Sequence, residues 1–222
     1  MDDEARAGEA HTFGAFTVTT LVSHPPWYEN SFLVHDTRSG DAVMVDPGAP
    51  AEEIRGAVAA AGCTLRAFLL THGHPDHIGS VAALEEAFDV PTVLHREDLP
   101  TLEQAPQLAS VFTGEHLGLP ANRDPFDGEP TLDLGSLRPA VIQAPGHTPG
   151  GVCYLFDGFA LTGDTLFNHG VGRTDLPGGD TAALARSIAR FLEHVADDTW
   201  LFPGHGPGWT AGEARRWWAM MR

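Results

Sequence analysis

The run His72-Gly73-His74-Pro75-Asp76-His77 constrains this chain more than any other segment. Four side chains able to bind a metal lie within six residues. They follow directly on the apolar run Arg66–Leu70, which reads as a short buried strand. In an extended or sharply turning segment, alternate residues share a face. His72 and His74 can therefore address one metal while Asp76 and His77 turn toward a second. Gly73 and Pro75 suit a fixed bend and bring no competing side chain. A helix read over Ile78–Phe88 would hold this loop rigidly at the end of its strand.

The same order of an apolar strand, a glycine and then an imidazole or carboxylate recurs three times. His147, in Ala144-Pro145-Gly146-His147-Thr148-Pro149-Gly150, follows a strand read at Leu137–Gln143. Asp164, in Leu161-Thr162-Gly163-Asp164-Thr165, follows Phe159–Thr162. His205, in Phe202-Pro203-Gly204-His205-Gly206-Pro207, follows Thr199–Phe202. Glycine lets the backbone turn tightly, so that the ligand points across a sheet edge. The chain has 12 histidines, and most sit beside Gly, Pro or Asp rather than on apolar faces.

Around these motifs the pattern is that of a layered α/β protein. Phe16–Val22, Ser31–His35 and Ala42–Asp46 read as strands, and Ala51–Ala61 as a helix stopped at Gly62. Val90–Leu94 and Val152–Phe156 read as further strands, Thr181–His194 and Ala211–Met221 as helices. Strands that first meander and then alternate with helices suggest a sandwich rather than a barrel. Residues 1–12 are polar and acidic and read as a loose arm, leaving 13–222 as one domain. From Pro100 to Pro130 the pattern weakens, with a short helical stretch near Gln107–Val111, and the segment reads as a lid or binding loop.

Taken together, these residues resemble the metallo-β-lactamase superfamily, and within it the glyoxalase II-like hydrolases, over roughly residues 30–210 with five motifs in family order. The resemblance implies an α/β fold, a four-layer αββα sandwich, with the site at one edge. It implies two divalent metal ions, one held by His72, His74 and His147 and the other by Asp76, His77 and His205, with Asp164 bridging both. Zinc is the first choice for imidazole and carboxylate ligands, while iron and manganese also accept them. Asp46, in Val45-Asp46-Pro47-Gly48, resembles a strand-end aspartate of the family and is read as bonded to a ligand histidine or to the ligand loop. The alternative is an aspartate that caps the turn before Pro47. The implied reaction is attack of a metal-bridging hydroxide on an acyl-thiol carbonyl, with Asp76 orienting the hydroxide besides binding metal. There is no Gly-x-Ser-x-Gly elbow to supply a serine nucleophile.

The segment Gly172-Arg173-Thr174-Asp175 resembles the compact bacterial members of that group. There the residue matching Arg173 contacts the carboxylate of a thiol such as glutathione, a role that suits a planar guanidinium. The alternative pairing is with Asp175 or Asp180. Asp175 stands where the larger glyoxalase II enzymes have an aromatic residue, and Arg215 and Arg216 are the only further basic candidates near the end of the chain. Trp27 and Tyr28, with Phe112 and His116, are candidates for an acyl-group wall, and His169 for a substrate contact. The expected partner is thus a small-molecule thioester, CoA- or carrier-bound acyl chains included.

Charge and composition narrow the classes further. The net charge is −17 and lysine is absent, which excludes the basic track that a nucleic acid requires. No apolar run is long enough to span a bilayer, and the start Met1-Asp2-Asp3-Glu4 has no secretory pattern, so a cytoplasmic location is expected. Cys63 and Cys153 are too few for a disulfide framework and read as reduced, buried residues. The nearest rival reading is a persulfide dioxygenase-like enzyme with a single iron. Those enzymes resemble Pro-Ala-His-Asp-Tyr in the last motif, whereas this chain has Pro203-Gly204-His205-Gly206-Pro207.

Overall fold

The computed structural model describes residues 8–221. Strands β1 (Ala10–Phe13), β2 (Phe16–Val22), β3 (Asn30–Asp36) and β4 (Asp41–Val45) form an antiparallel meander. Helix α1 (Ala51–Ala61) then crosses to β5 (Thr64–Leu69), which lies parallel to β4. Short helices α2 (Pro75–Ile78) and α3 (Val81–Glu85) lead to β6 (Thr92–His95), and α4 (Leu99–Thr113) leads to β7 (Arg123–Phe126). Both strands add in parallel and complete a 7-stranded sheet in the order β1 to β7.

The second sheet begins with β8 (Ala140–Gln143), β9 (Val152–Phe156) and β10 (Phe159–Gly163), paired antiparallel. A small hairpin, β11 (Leu166–Phe167) and β12 (Gly170–Val171), follows, then α5 (Thr181–His194). Strand β13 (Trp200–Pro203) inserts parallel to β10, and β14 (Trp209–Thr210) and α6 (Ala211–Met220) finish the chain. The strand order is β14-β13-β10-β9-β8.

Strand alternation builds the layers. Val43 and Val45 of β4 face the second sheet with Ala67 and Leu69 of β5, while Met44 and Phe68 face the helices. The inter-sheet core joins those residues to Tyr154, Phe156, Phe159, Leu161 and Phe202. Ile54 and Val58 of α1 and Leu102, Ala105 and Ala109 of α4 cover the outside of the first sheet. Leu184, Ile188, Phe191 and Leu192 of α5 cover the second, at a spacing that puts all four on one helical face. The result is the expected αββα sandwich. Asp180 caps α5 through the backbone N–H of Ala183 at 2.9 Å, and Thr210 and Glu213 cap α6 reciprocally. Among the described residues, no helix is long and apolar enough to cross a membrane.

Three expectations need correction. Residues 10–12 of the expected arm belong to β1, where Ala10 pairs with Thr19 and His11 with Val18; residues 1–7 of that arm lie outside the described residues. The helix expected over Ile78–Phe88 is broken into α2 and α3. The N–H of Ser80 bonds to the carbonyl of Pro47 at 2.9 Å rather than to its own helix, and the Ser80 hydroxyl donates to Ala49 O at 2.6 Å. The segment Pro100–Pro130 is not an irregular lid. Its first half is the 15-residue helix α4, and Arg123–Phe126 is an edge strand. Pro100 sits in the first turn, where a missing N–H costs nothing. Pro106 is tolerated in the interior because Leu102, Ala105 and Ala109 bury one face against the sheet.

Phe159 is fully buried where the two sheets meet. It stacks on Phe156 and leans on Phe13, both with ring centroids at 4.8 Å. Phe159→Ala is expected to lower the unfolding free energy by about 3–5 kcal/mol, the range for deleting a buried aromatic ring. Urea denaturation followed by circular dichroism measures this; a loss below about 1 kcal/mol would mean that the sheets do not meet there.

Candidate metal centre

The ligand candidates all stand where strands end. His72 and His74 follow β5, Asp76 and His77 open α2, His147 follows β8, Asp164 follows β10 and His205 follows β13. Because β10 and β13 are parallel neighbours in one sheet and β5 lies in the other, the ends of both sheets deliver ligands to one edge. The chain meets itself there in three sets: His72, His74 and His147; His72, His77 and Asp164; and Asp76, His77 and His205. Within each set the ligand atoms lie within 4.8 Å of one another.

Hydrogen bonds on the far side of each ring decide which nitrogen faces the centre. A carboxylate or carbonyl only accepts, so a ring nitrogen bonded to one carries the hydrogen, and in a neutral imidazole the other nitrogen is bare. His77 donates from Nδ1 to Asp46 Oδ2 at 3.0 Å, and His147 donates from Nδ1 to the carbonyl of Arg173 at 2.7 Å. Thr71 donates its hydroxyl to Asp46 Oδ2 at 2.6 Å, so the 3.1 Å contact with His72 Nδ1 has the ring as donor. Nε2 of His72, His77 and His147 is therefore turned inward in each case.

Inward lies a convergence that protein groups alone leave unsatisfied. His77 Nε2 is 3.3 Å from Asp164 Oδ1 and 3.7 Å from Asp76 Oδ2. His205 Nε2 is 3.2 Å from Asp76 Oδ2 and 3.7 Å from Asp164 Oδ2, and His147 Nε2 is 3.5 Å from that same oxygen. Asp164 thus lies between the two outer sets. His74 Nδ1 faces His147 Nε2 at 2.8 Å. His72 Nε2, His77 Nε2 and Asp164 Oδ1 are buried without a hydrogen-bond partner. Burial keeps His72 neutral well below the usual histidine range and takes His74 down to about 4. Burial would raise Asp164, but the charges of His205 and His77 hold it well below the usual carboxylate range. Burial would lower His77, yet Asp76, Asp164 and Asp46 push it well up. Lone pairs and ionised carboxylates converging in a buried space are the donor set that divalent cations satisfy. The residues fit such a pair.

Two buried acids were not legible in the sequence. Asp98, fully buried, accepts from the backbone N–H of Gly73 and from that of Gly150 at 3.0 Å, so one carboxylate fastens the His72–His74 loop to the His147 loop. Burial pushes its carboxyl up. Glu29, also fully buried, accepts from the Ser31 hydroxyl at 3.0 Å, and that hydroxyl oxygen accepts from Gly48 and Ala49 N–H just behind Asp46. Burial pushes Glu29 well up as well. In sequence, Asp98 looks like an ordinary residue ahead of a helix and Glu29 like a loop acid; only tertiary contact distinguishes them.

A cavity of about 360 Å³ opens over the cluster. His74, Asp76, His147, Asp164 and His205 form its polar floor, and Trp27, Leu108, Phe112, Phe167, Val171 and Leu176 its apolar wall, with Arg173 at the side. Of the residues expected to contact substrate, Trp27 and Phe112 line the cavity, with ring centroids 5.6 Å apart. Tyr28 and His169 do not line this cavity. Tyr28 takes a left-handed turn at φ 52°, and His169, at φ 61° in the β11–β12 turn, is directed onto Trp209 with ring centroids at 5.4 Å. His116 lines a neighbouring cleft beyond Trp27 and Phe112. Arg173 reaches the cavity, but its guanidinium is paired with Asp175. Arg215 donates to the carbonyls of Leu192 and Val195 at the end of α5, a local tie. Gly172 shows why the loop before Arg173 needs glycine: a Cβ there would stand 2.0 Å from Asp164 O and 2.9 Å from His147 Nδ1.

Comparison with known proteins returns one family. The pattern of the metallo-beta-lactamase superfamily matches residues 24–205. A hydroxyacylglutathione hydrolase, GloC, of Haemophilus influenzae is 35% identical over 207 residues, covering 88% of this chain and 94% of that protein. The crystal structure of TTHA1623 in a di-iron-bound form aligns with a TM-score of 0.78 at 38% identity, covering 88% and 96% of the two chains. That of the BLEG-1 B3 metallo-beta-lactamase aligns at 0.81 with 32% identity, covering 88% and 95%.

Asp46→Asn tests the outer tie. An amide keeps the shape but has one acceptor oxygen where the carboxylate has two, so it cannot take the Thr71 N–H on one side and the Thr71 hydroxyl with the His77 ring on the other. Divalent-metal affinity, read by competition with a chromophoric chelator, is expected to fall roughly 10- to 100-fold with the far-ultraviolet spectrum unchanged. Unaltered affinity would show that Asp46 only shapes the turn before Pro47.

Proposed function

The chain belongs to the metallo-beta-lactamase superfamily, and from that premise we propose that it is a metal-dependent hydrolase of thioesters, glyoxalase II-like in substrate class. One observation carries the reading. The cavity over the cluster is lined by five of the ligand residues and an apolar wall, with no Ser, Thr, Cys or Lys among them. The attacking group is then water, not a side chain. Neither cysteine competes for the role, since burial pushes Cys153 up to about 12 and Cys63 lies away from the cavity.

His72, His74 and His147 would hold one cation and Asp76, His77 and His205 the other, with Asp164 shared. Bound there, divalent cations supply Lewis acidity, which polarises a carbonyl and acidifies water. Zinc suits the donor set, and iron is the alternative that the di-iron-bound relative brings forward. Asp76 fronts the cavity from the first turn of α2, where its carboxylate can orient water and take its proton. Trp27, Leu108, Phe112 and Leu176 would bury an acyl chain and keep bulk water from its carbonyl. A thioester also suits a site without a general acid, because a thiol of pKa about 8.5 departs readily as the thiolate. The GloC relative, named for hydrolysis of a hydroxyacyl thioester of glutathione, supports this class.

The test is a panel of acyl thioesters with zinc-loaded and iron-loaded protein, read by thiol release, beside oxygen uptake with a thiol persulfide. Thioester cleavage without oxygen uptake is expected, abolished by chelation and by His72→Ala or Asp164→Ala. Persulfide-dependent oxygen uptake by the iron form with no thiol release would replace this reading with the dioxygenase one.

A further inference from the structure

His205 differs from the other candidate ligands in how it is held. The rings of His77 and His147 are tied from behind through Nδ1, to Asp46 and to the Arg173 carbonyl. The His205 ring directs its contacts into the cluster, at Asp76 and Asp164. Its side chain is 29% exposed, against 0% for His77 and 5% for His147, so packing holds it less. The hydrogen bonds that reach it from the first sheet fall on the backbone of its turn, Pro203-Gly204-His205-Gly206.

Those bonds come from one residue. Asn30, 2% exposed at the start of β3, donates from Nδ2 to the carbonyls of Pro203 and Gly206, each at 2.9 Å. Its backbone N–H donates to the carbonyl of Gly204 at 2.7 Å. The turn is thus gripped on both sides of His205. Because both side-chain partners are carbonyl oxygens, the amide must face them with its nitrogen. Glu29 pairs with His205 in an antiparallel bridge at the same place, which joins the first sheet to the end of the second. On its other side the turn has no slack. The Gly204 N–H donates to Gly163 O at 2.9 Å, and a Cβ at Gly204 would stand 2.3 Å from Asp164 Oδ1 and 2.7 Å from His77 Cε1. The loop that carries Trp27 closes on the same foot, through Ser23 N–H to Glu29 O and Glu29 N–H to the Ser23 hydroxyl, both at 2.8 Å.

We infer that Asn30 is a positioning residue: by gripping the turn on both sides of His205 it completes the set Asp76, His77 and His205, and it serves that set rather than His72, His74 and His147. The inference rests on the two-cation assignment above and not on the thioester reading. Ligand distances must hold to within about 0.2 Å. Loss of the amide takes the donor from the carbonyls of Pro203 and Gly206, and the turn that carries the least packed imidazole is then free to shift by more than that.

Cobalt(II) titration of the metal-free protein tests it, with visible absorption and competition by a chromophoric chelator reading the two ions separately. The wild type is expected to take up two ions, one of which His205→Ala weakens. Asn30→Ala is expected to weaken that same ion roughly tenfold or more and the other by less than about twofold. Asn30→Asp, which keeps the shape but sets a carboxylate against two carbonyls, is expected to do the same. Adding Asn30→Ala to His205→Ala is expected to change binding by less than about twofold, since the ligand it positions is already gone. Asn30→Ser, which retains one donor, gives the same reading should Asn30→Ala lose its far-ultraviolet spectrum. Both ions weakened alike, neither weakened, or a loss that persists in the His205→Ala background overturns the inference and makes Asn30 part of the fold alone. A wild type that binds one ion, and binds it unchanged in His205→Ala, removes the two-cation assignment and the inference with it.

Discussion

The buried carboxylate of Asp46 is the constraint on which the arrangement of this site depends. It ends β4 with φ at 47°, a left-handed conformation that a side chain adopts at a cost in strain. From there it accepts the Thr71 N–H at 2.7 Å, the Thr71 hydroxyl and the His77 ring. Through Thr71 it also sets the tautomer of His72. One acid at the end of the fourth strand thus orients the candidate ligands His72 and His77, and Gly48 and Ser31 keep it in place: a Cβ at Gly48 would stand 1.7 Å from Asp76 O. The strain is local and the return is a pair of imidazoles held in one orientation. Asp98 does the corresponding work between the loops, so two buried acids outside the three sets hold the frame of candidate ligands.

That division explains what could be read in the sequence. The residues that converge as candidate ligands were legible because each is a chemically distinctive residue beside glycine or proline near the end of an apolar strand. The layers were legible too, since β4, β5, β9 and β10 are nearly continuous apolar runs and α5 keeps one apolar face. Contacts that depend on which loops meet were not. Asp98 and Glu29 have no local signature, and the apolar wall residues Leu108, Phe167, Val171 and Leu176 come from separate segments with no shared spacing. Helix α4 was obscured by Pro100 and Pro106, whose local cost is offset by a tertiary face that periodicity alone underweighted. Tyr28 and His169 show the opposite failure. Aromatic and imidazole side chains in glycine-rich loops suggest substrate contact, but left-handed turns send these two elsewhere.

Electrostatics join the fold to the chemistry. A chain of net charge −17 repels anions at long range, and its candidate metal cluster contributes two further carboxylates, Asp76 and Asp164, to the cavity floor. Divalent cations held there would reverse the sign locally, while the acidic surface still opposes anionic ligands. The apolar wall of Trp27, Leu108, Phe112 and Leu176 is the part of the cavity whose attraction for a ligand does not depend on charge.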